Sequence, residues 1–107
     1  MKKLLNYIKT KSDKRSFFLD DRIVDYITEN SSETDLIQKS LIEETAKLGW
    51  VARMQISPDQ GNLLTMLVKA VQPKFAVEIG TFTGFSALSI ARALPANATL
   101  LCCDISE

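Results

Sequence analysis

The sequence predicts an α/β fold in which N-terminal helices precede the first β-α-β unit of a doubly wound, Rossmann-like sheet. Three observations carry that expectation. Residues 75–79 and 99–103 are short apolar, β-prone runs. Gly80 and Gly84 punctuate the turn after the first run. A helical pattern through Phe85, Leu88, Ile90, Ala91 and Leu94 then fills the interval and stops at Pro95. Strand, glycine turn, helix and strand, in that order, open a mononucleotide-binding crossover. Such a crossover is right-handed, so both strands lie side by side with their carboxyl ends on one edge.

Composition sets the class around this unit. The 107 residues are 46% hydrophobic and 24% charged, as in a globular domain. Net charge is zero, so no global field selects nucleic acid or membrane. The first 15 residues are nevertheless basic, with six Lys/Arg against one Asp. That cluster could meet RNA phosphates, but Tyr7, Phe17 and Phe18 are too few to interleave as stacking platforms. No 18-residue apolar run reads as a membrane span, and Lys9 and Lys11 cut short any signal-peptide core. Cys102 and Cys103 are adjacent in a strand, point to opposite faces and suit no mutual disulfide. With no His and no second cysteine pair in the chain, a thiolate zinc site is disfavoured, and reduced core cysteines of a cytoplasmic protein are expected.

Taken in order, residues 1–72 read as a helical segment and 73–107 as the start of the nucleotide-binding domain. Asp20 or Asp21 caps a helix carrying Ile23, Val24, Tyr26 and Ile27, which fades at Asn30. Ser31 and Ser32 offer caps for a second helix carrying Leu36, Ile37, Leu41, Thr45 and Leu48, with Gly49 as its stop. Ser57, Pro58 and Gln60 give a capping box with proline at the first helical position, and that helix runs to about Gln72.

The glycine turn supplies the candidate site. Gly80 lets the main chain leave the strand where a Cβ would be opposed, and lets a ligand approach the backbone. The helix after Gly84 presents free N–H groups and a positive dipole end to an anion, with the Ser86 hydroxyl in its first turn. Glu78 is a carboxylate in an apolar strand, costly unless it meets a cation or several donors. Asp104 ends the second strand, 20 residues beyond Gly84, at the spacing that meets a ribose hydroxyl. Phe82 takes the place of the middle glycine of G-x-G-x-x-G, which argues against a pyrophosphate on the backbone. An acid for an ammonium, a helix N-terminus for a carboxylate and an acid for a ribose together describe S-adenosylmethionine. The plainer alternative is a buried β-α-β core with ordinary turn glycines.

The run Val77-Glu78-Ile79-Gly80-Thr81-Phe82-Thr83-Gly84-Phe85-Ser86, with Ala93-Leu94-Pro95 and Cys103-Asp104, resembles the caffeoyl-CoA/catechol O-methyltransferase-like family of class I S-adenosylmethionine-dependent methyltransferases. Met54 to Leu64 also resembles that family's segment before the first strand. The resemblance implies metal-assisted O-methylation of a catechol-like or hydroxylated small molecule, and a homodimer. It implies cofactor contacts at Glu78, Gly80, Thr81, Phe82, Ser86 and Asp104, with Met54 and Ile56 against the cofactor. Met54 and Ile56 read equally well as core residues. A basic residue near Lys14 or Arg15 would, in plant members, help hold an acyl-CoA; a solvated basic face is the competing reading. The family's divalent-metal ligands (for Mg or Ca) come from later strands, so this segment is expected to contain neither metal nor catalytic residues and to be inactive by itself. Some bacterial relatives methylate a hydroxyuridine of tRNA instead. Two other classes compete: an NAD enzyme, disfavoured by Phe82 and Glu78, and a non-catalytic interaction module.

Overall fold

The computed structural model describes residues 20–105. Lys14 and Arg15, with the basic N-terminal cluster, lie outside the described residues. The chain divides into two compact units, residues 1–30 and 31–107. In the first, helix α1 spans Asp21–Asn30. Asp20 is its cap: the Ile23 N–H donates to Asp20 Oδ1 at 3.0 Å.

In the second unit, helix α2 spans Leu36–Ala46 and is capped by Asp35, not by Ser31 or Ser32 as the sequence suggested. The Gln38 N–H donates to Asp35 Oδ1 at 2.9 Å, while the Asp35 N–H donates to Gln38 Oε1 at 3.1 Å. This reciprocal pair satisfies two donors at once, which serines further upstream do not. The Ser32 carbonyl instead accepts from Asn62 Nδ2 at 3.1 Å. The helix stops at Ala46, short of Leu48, and Gly49 follows with φ +71°. A short 3-10 helix, Gly49–Met54, then leads into Gln55. Leu36 and Ile37, in the first turn of α2, are exposed.

Asp35 also pairs with Arg92 across 57 residues of sequence. The Gln38 N–H, with help from Arg92 and against partial burial, holds the Asp35 carboxyl below its ordinary value of 3.8. Asp20 is lowered likewise, chiefly by the Ile23 N–H and then by Arg22. A carboxyl whose folded pKa lies below its unfolded one stabilises the fold above the unfolded value, and that contribution vanishes as pH falls through the folded value. Thermal stability is therefore expected to hold from neutral pH down to about 4 and then to decline. The Asp35→Asn variant should show a shallower acid limb in circular-dichroism melts; an unchanged limb would exclude Asp35 from it. Both groups are exposed, so the effect is small.

Helix α3 spans Pro58–Val71, with Pro58 in its first turn as predicted. The capping box read from Ser57 and Gln60 does not form. Ser57 sits at the cap with extended backbone, but its hydroxyl makes no cap bond. Its carbonyl accepts the Gly61 N–H at 3.0 Å.

Strands β1 (Phe75–Ile79) and β2 (Thr99–Cys103) lie where the sequence put them and pair in parallel, Phe75 opposite Thr99 through Ile79 opposite Cys103. Further bonds extend the ladder at both ends, Thr99 N–H to Lys74 O at 3.0 Å and Gly80 N–H to Cys103 O at 2.8 Å. Helix α4 (Phe85–Ala93) connects them and packs on α3 and β2. Its buried stripe is Phe85, Ser89 and Ala93, four residues apart and hence on one face. Gly61 is where α3 meets this stripe. A Cβ there would stand 2.9 Å from the Phe85 ring and 2.9 Å from Ser89 Oγ, so only glycine permits this approach.

The opposite sheet face is bare. Phe75, Val77 and Ile79, with their register partners Thr99, Leu101 and Cys103, are all exposed. Cys102 and Cys103 are free thiols, but exposed rather than in a core. Among the described residues a single crossover helix covers two strands, and it leaves their C-terminal ends open.

Candidate functional site

The open ends of the strands lead into the glycine turn, and there the main chain takes three left-handed steps. Gly80 has φ +89°, Phe82 +50° and Gly84 +92°. Glycine adopts such angles freely, whereas a phenylalanine there carries strain of about 1–3 kcal/mol that its surroundings must offset. Asp104 supplies the restraint. The Phe82 N–H donates to Asp104 Oδ2 at 2.7 Å, and the Ile105 N–H donates to Oδ1 at 2.7 Å. Thr81 Oγ1 reaches the Cys103 carbonyl at 3.5 Å, and the Gly84 N–H closes the turn onto Thr81 O at 2.9 Å.

A second clamp grips the turn from the N-terminal side, and the sequence reading missed it. Thr45 in α2 is buried, 2% exposed, and its hydroxyl donates to Thr83 Oγ1 at 2.9 Å. Gln55 Nε2 donates to Thr45 Oγ1 at 3.0 Å and to Thr83 Oγ1 at 3.3 Å. Thr45 looked like one more position on an apolar stripe. A threonine on a buried helical face was the one available signal, since its hydroxyl must find a partner.

Between these clamps lies a shallow pocket lined by Met54, Gln55, Ile56, residues 80–83, Phe85 and Ser86. It brings together Met54, Ile56, Gly80, Thr81, Phe82 and Ser86 of the predicted site residues. Glu78 and Asp104 lie beside it on the adjoining strand and strand end rather than in its lining. Glu78 has a distinctive state: Oε2 is buried and has no hydrogen-bond partner among the described residues. A buried carboxylate oxygen without a donor is costly, and a cationic group would relieve it. Helix α4 begins at Gly84 without a side-chain cap, so its first-turn N–H groups are available to an anion next to Ser86. A Cβ on Gly80 would stand in open space, so nothing in the chain itself blocks approach to that backbone. One acid lacking a cation, one anion-seeking helix end and a bare backbone between them fit a zwitterionic amino-acid group. Among the described residues, no cluster of three or more His, Cys, Asp or Glu could hold a metal ion. No helix among them is long and apolar enough to cross a membrane.

The family model described as O-methyltransferase matches residues 28–107. Caffeoyl-CoA O-methyltransferase 1 of Nicotiana tabacum is 39% identical over 95 residues, covering 87% of this chain and 39% of the relative. Among solved structures, the SAH-bound methyltransferase PaMTH1 of Podospora anserina superposes with a TM-score of 0.69 at 25% identity, over 77% of this chain and 36% of that one. The O-methyltransferase TomG of Streptomyces achromogenes, solved in complex with SAM, gives 0.64 at 28% identity, over 72% and 34%. The chain thus spans about two fifths of the length of the curated relatives it matches.

Proposed function

The chain belongs to the O-methyltransferase family, and from that premise we propose that it carries the S-adenosylmethionine-binding part of an enzyme that methylates a hydroxyl group of a small molecule. The unpartnered, buried Glu78 Oε2 beside the left-handed glycine turn carries this reading. The cofactor's ammonium would supply the cation that Glu78 lacks. Its carboxylate would meet Ser86 and the first-turn N–H groups of α4, and its ribose would meet Asp104. Met54 and Ile56 would lie against it from the 3-10 segment.

When bound, S-adenosylmethionine supplies an electrophilic methyl group. The residues of this chain hold and orient that donor. They move no proton. Asp104 has a double task, because a carboxylate offers about four acceptor positions and the Phe82 and Ile105 N–H groups fill two of them. A ribose hydroxyl can take another. The metal ligands and the acceptor site lie outside the described residues on this reading. A homodimer accompanies it as an implication of the family resemblance, and a cytoplasmic location as the reading of the free cysteines.

Calorimetric titration with S-adenosylmethionine and with NADH tests the cofactor assignment. Binding of the first alone is expected; binding of NADH alone would replace this reading with a dehydrogenase. Asp104→Ala should cost about 1.5–3 kcal/mol in S-adenosylmethionine affinity, the scale of a hydrogen bond to a charged group. Unchanged affinity would remove Asp104 from the cofactor's surroundings and leave it as a brace for Phe82.

A further inference from the structure

We propose that Thr83 is a specificity-determining donor for the carboxylate of the bound amino-acid group, and that Thr45 and Gln55 are the positioning residues that keep it so. The proposal rests on the S-adenosylmethionine reading above. A threonine hydroxyl has one proton to donate and two acceptor positions. At Thr83 both acceptor positions are filled, by the Thr45 hydroxyl at 2.9 Å and by Gln55 Nε2 at 3.3 Å. Its own proton is left for a partner elsewhere, and Thr83 lines the pocket. Gln55 donates to Thr45 as well, at 3.0 Å, so Thr45 Oγ1 accepts there, and its buried hydroxyl proton goes to Thr83 Oγ1, its one acceptor among the described residues. Thr45 is buried and cannot exchange its partner for water. The result is a hydroxyl that can give a hydrogen bond but has no acceptor position left for an ammonium. Ser86 and the uncapped start of α4 lie along the same lining and favour the same charge. Glu78, with its unpartnered oxygen, lies on the neighbouring strand and favours the opposite one. The chain therefore sorts the two charged ends of an amino acid, and Thr83 acts on the anionic end.

The test compares S-adenosylmethionine with its decarboxylated analogue, S-adenosylmethioninamine, by calorimetry on the purified protein. Thr83→Val should weaken S-adenosylmethionine binding roughly 10- to 100-fold and leave the analogue's affinity unchanged. Thr83→Ser, which keeps the hydroxyl, should retain wild-type preference. Thr45→Val preserves shape but removes the hydroxyl, and should cost about fivefold for S-adenosylmethionine alone, with recovery in Thr45→Ser. A purely packing role would reverse that order, since valine fills the site better than serine. Equal losses for both ligands in Thr83→Val, or no loss for either, would overturn the inference while leaving the cofactor assignment standing. A wild-type protein that binds neither ligand would instead overturn the cofactor assignment, and this inference with it. Melting curves for each variant identify any that is unfolded, and the serine variants then decide the matter.

Discussion

Replacing Phe85 with alanine is expected to destabilise the fold by about 3–5 kcal/mol, the largest effect of any single truncation among the described residues. Phe85 is the largest fully buried side chain among the described residues, 2% exposed, at the point where α3, α4 and the glycine turn meet. Its ring lies against Gly61, a position that leaves no room for a Cβ. Removing the ring forfeits its transfer from water and opens a cavity, which neighbours held by Thr65–Ser89 and Thr45–Thr83 bonds fill only in part. A domain has about 5–15 kcal/mol in all, so the variant should lose a large share of it and unfold at a much lower urea concentration. Urea denaturation followed by far-ultraviolet circular dichroism measures it. A midpoint equal to wild type would mean that Phe85 is not the keystone of this core. The ring also lines the pocket, so ligand affinity should fall with stability.

Gly80→Val should abolish S-adenosylmethionine binding while preserving most helix content. The argument is conformational, because an added Cβ would meet no atom within 4 Å. At φ +89° a β-branched residue is a steric outlier, and relieving it means rotating the backbone away from the left-handed region. Strain of this kind amounts to about 1–3 kcal/mol. Rotation would break the bond from the Gly80 N–H to Cys103 O, 2.8 Å long, and swing residues 81–83 out of the pocket lining. A side chain that stayed in place would fill the space beside the bare backbone. Either course excludes the ligand. Gly80→Ala should lie between, being strained but not branched. Normal binding by the valine variant, measured by calorimetry, would put the cofactor somewhere other than this turn.

These expectations draw unequally on the sequence and on the fold. Both strands, the crossover helix and the left-handed Gly80 were legible in the chain. Their signals are local: short apolar runs, a glycine at each end of a turn, and the proline stop at Pro95. Gly80, Thr81, Phe82 and Ser86 line one pocket because the crossover fixes where the turn must lie, and Met54 and Ile56, taken from the family resemblance, line it too. The start of α2 was not legible. Ser31, Ser32 and Asp35 are all good caps, and the choice fell to Asp35 because Gln38 reciprocates and Arg92 lies opposite.

Exposure was decided by tertiary structure as well. Cys102 and Cys103 carry the pattern of core residues, yet a strand residue is buried only by what packs on it, and both are exposed, Cys103 on the bare face and Cys102 at the strand's uncovered end. The pairing of Thr45 and Gln55 with Thr83 spans 38 and 28 residues, and that of Asp104 with Phe82 spans 22. Hydroxyl, amide and carboxylate groups are common along the chain and can each bond many partners. Composition and spacing state only that each must find one, and the packing of α2 and the 3-10 segment against the glycine turn determines which.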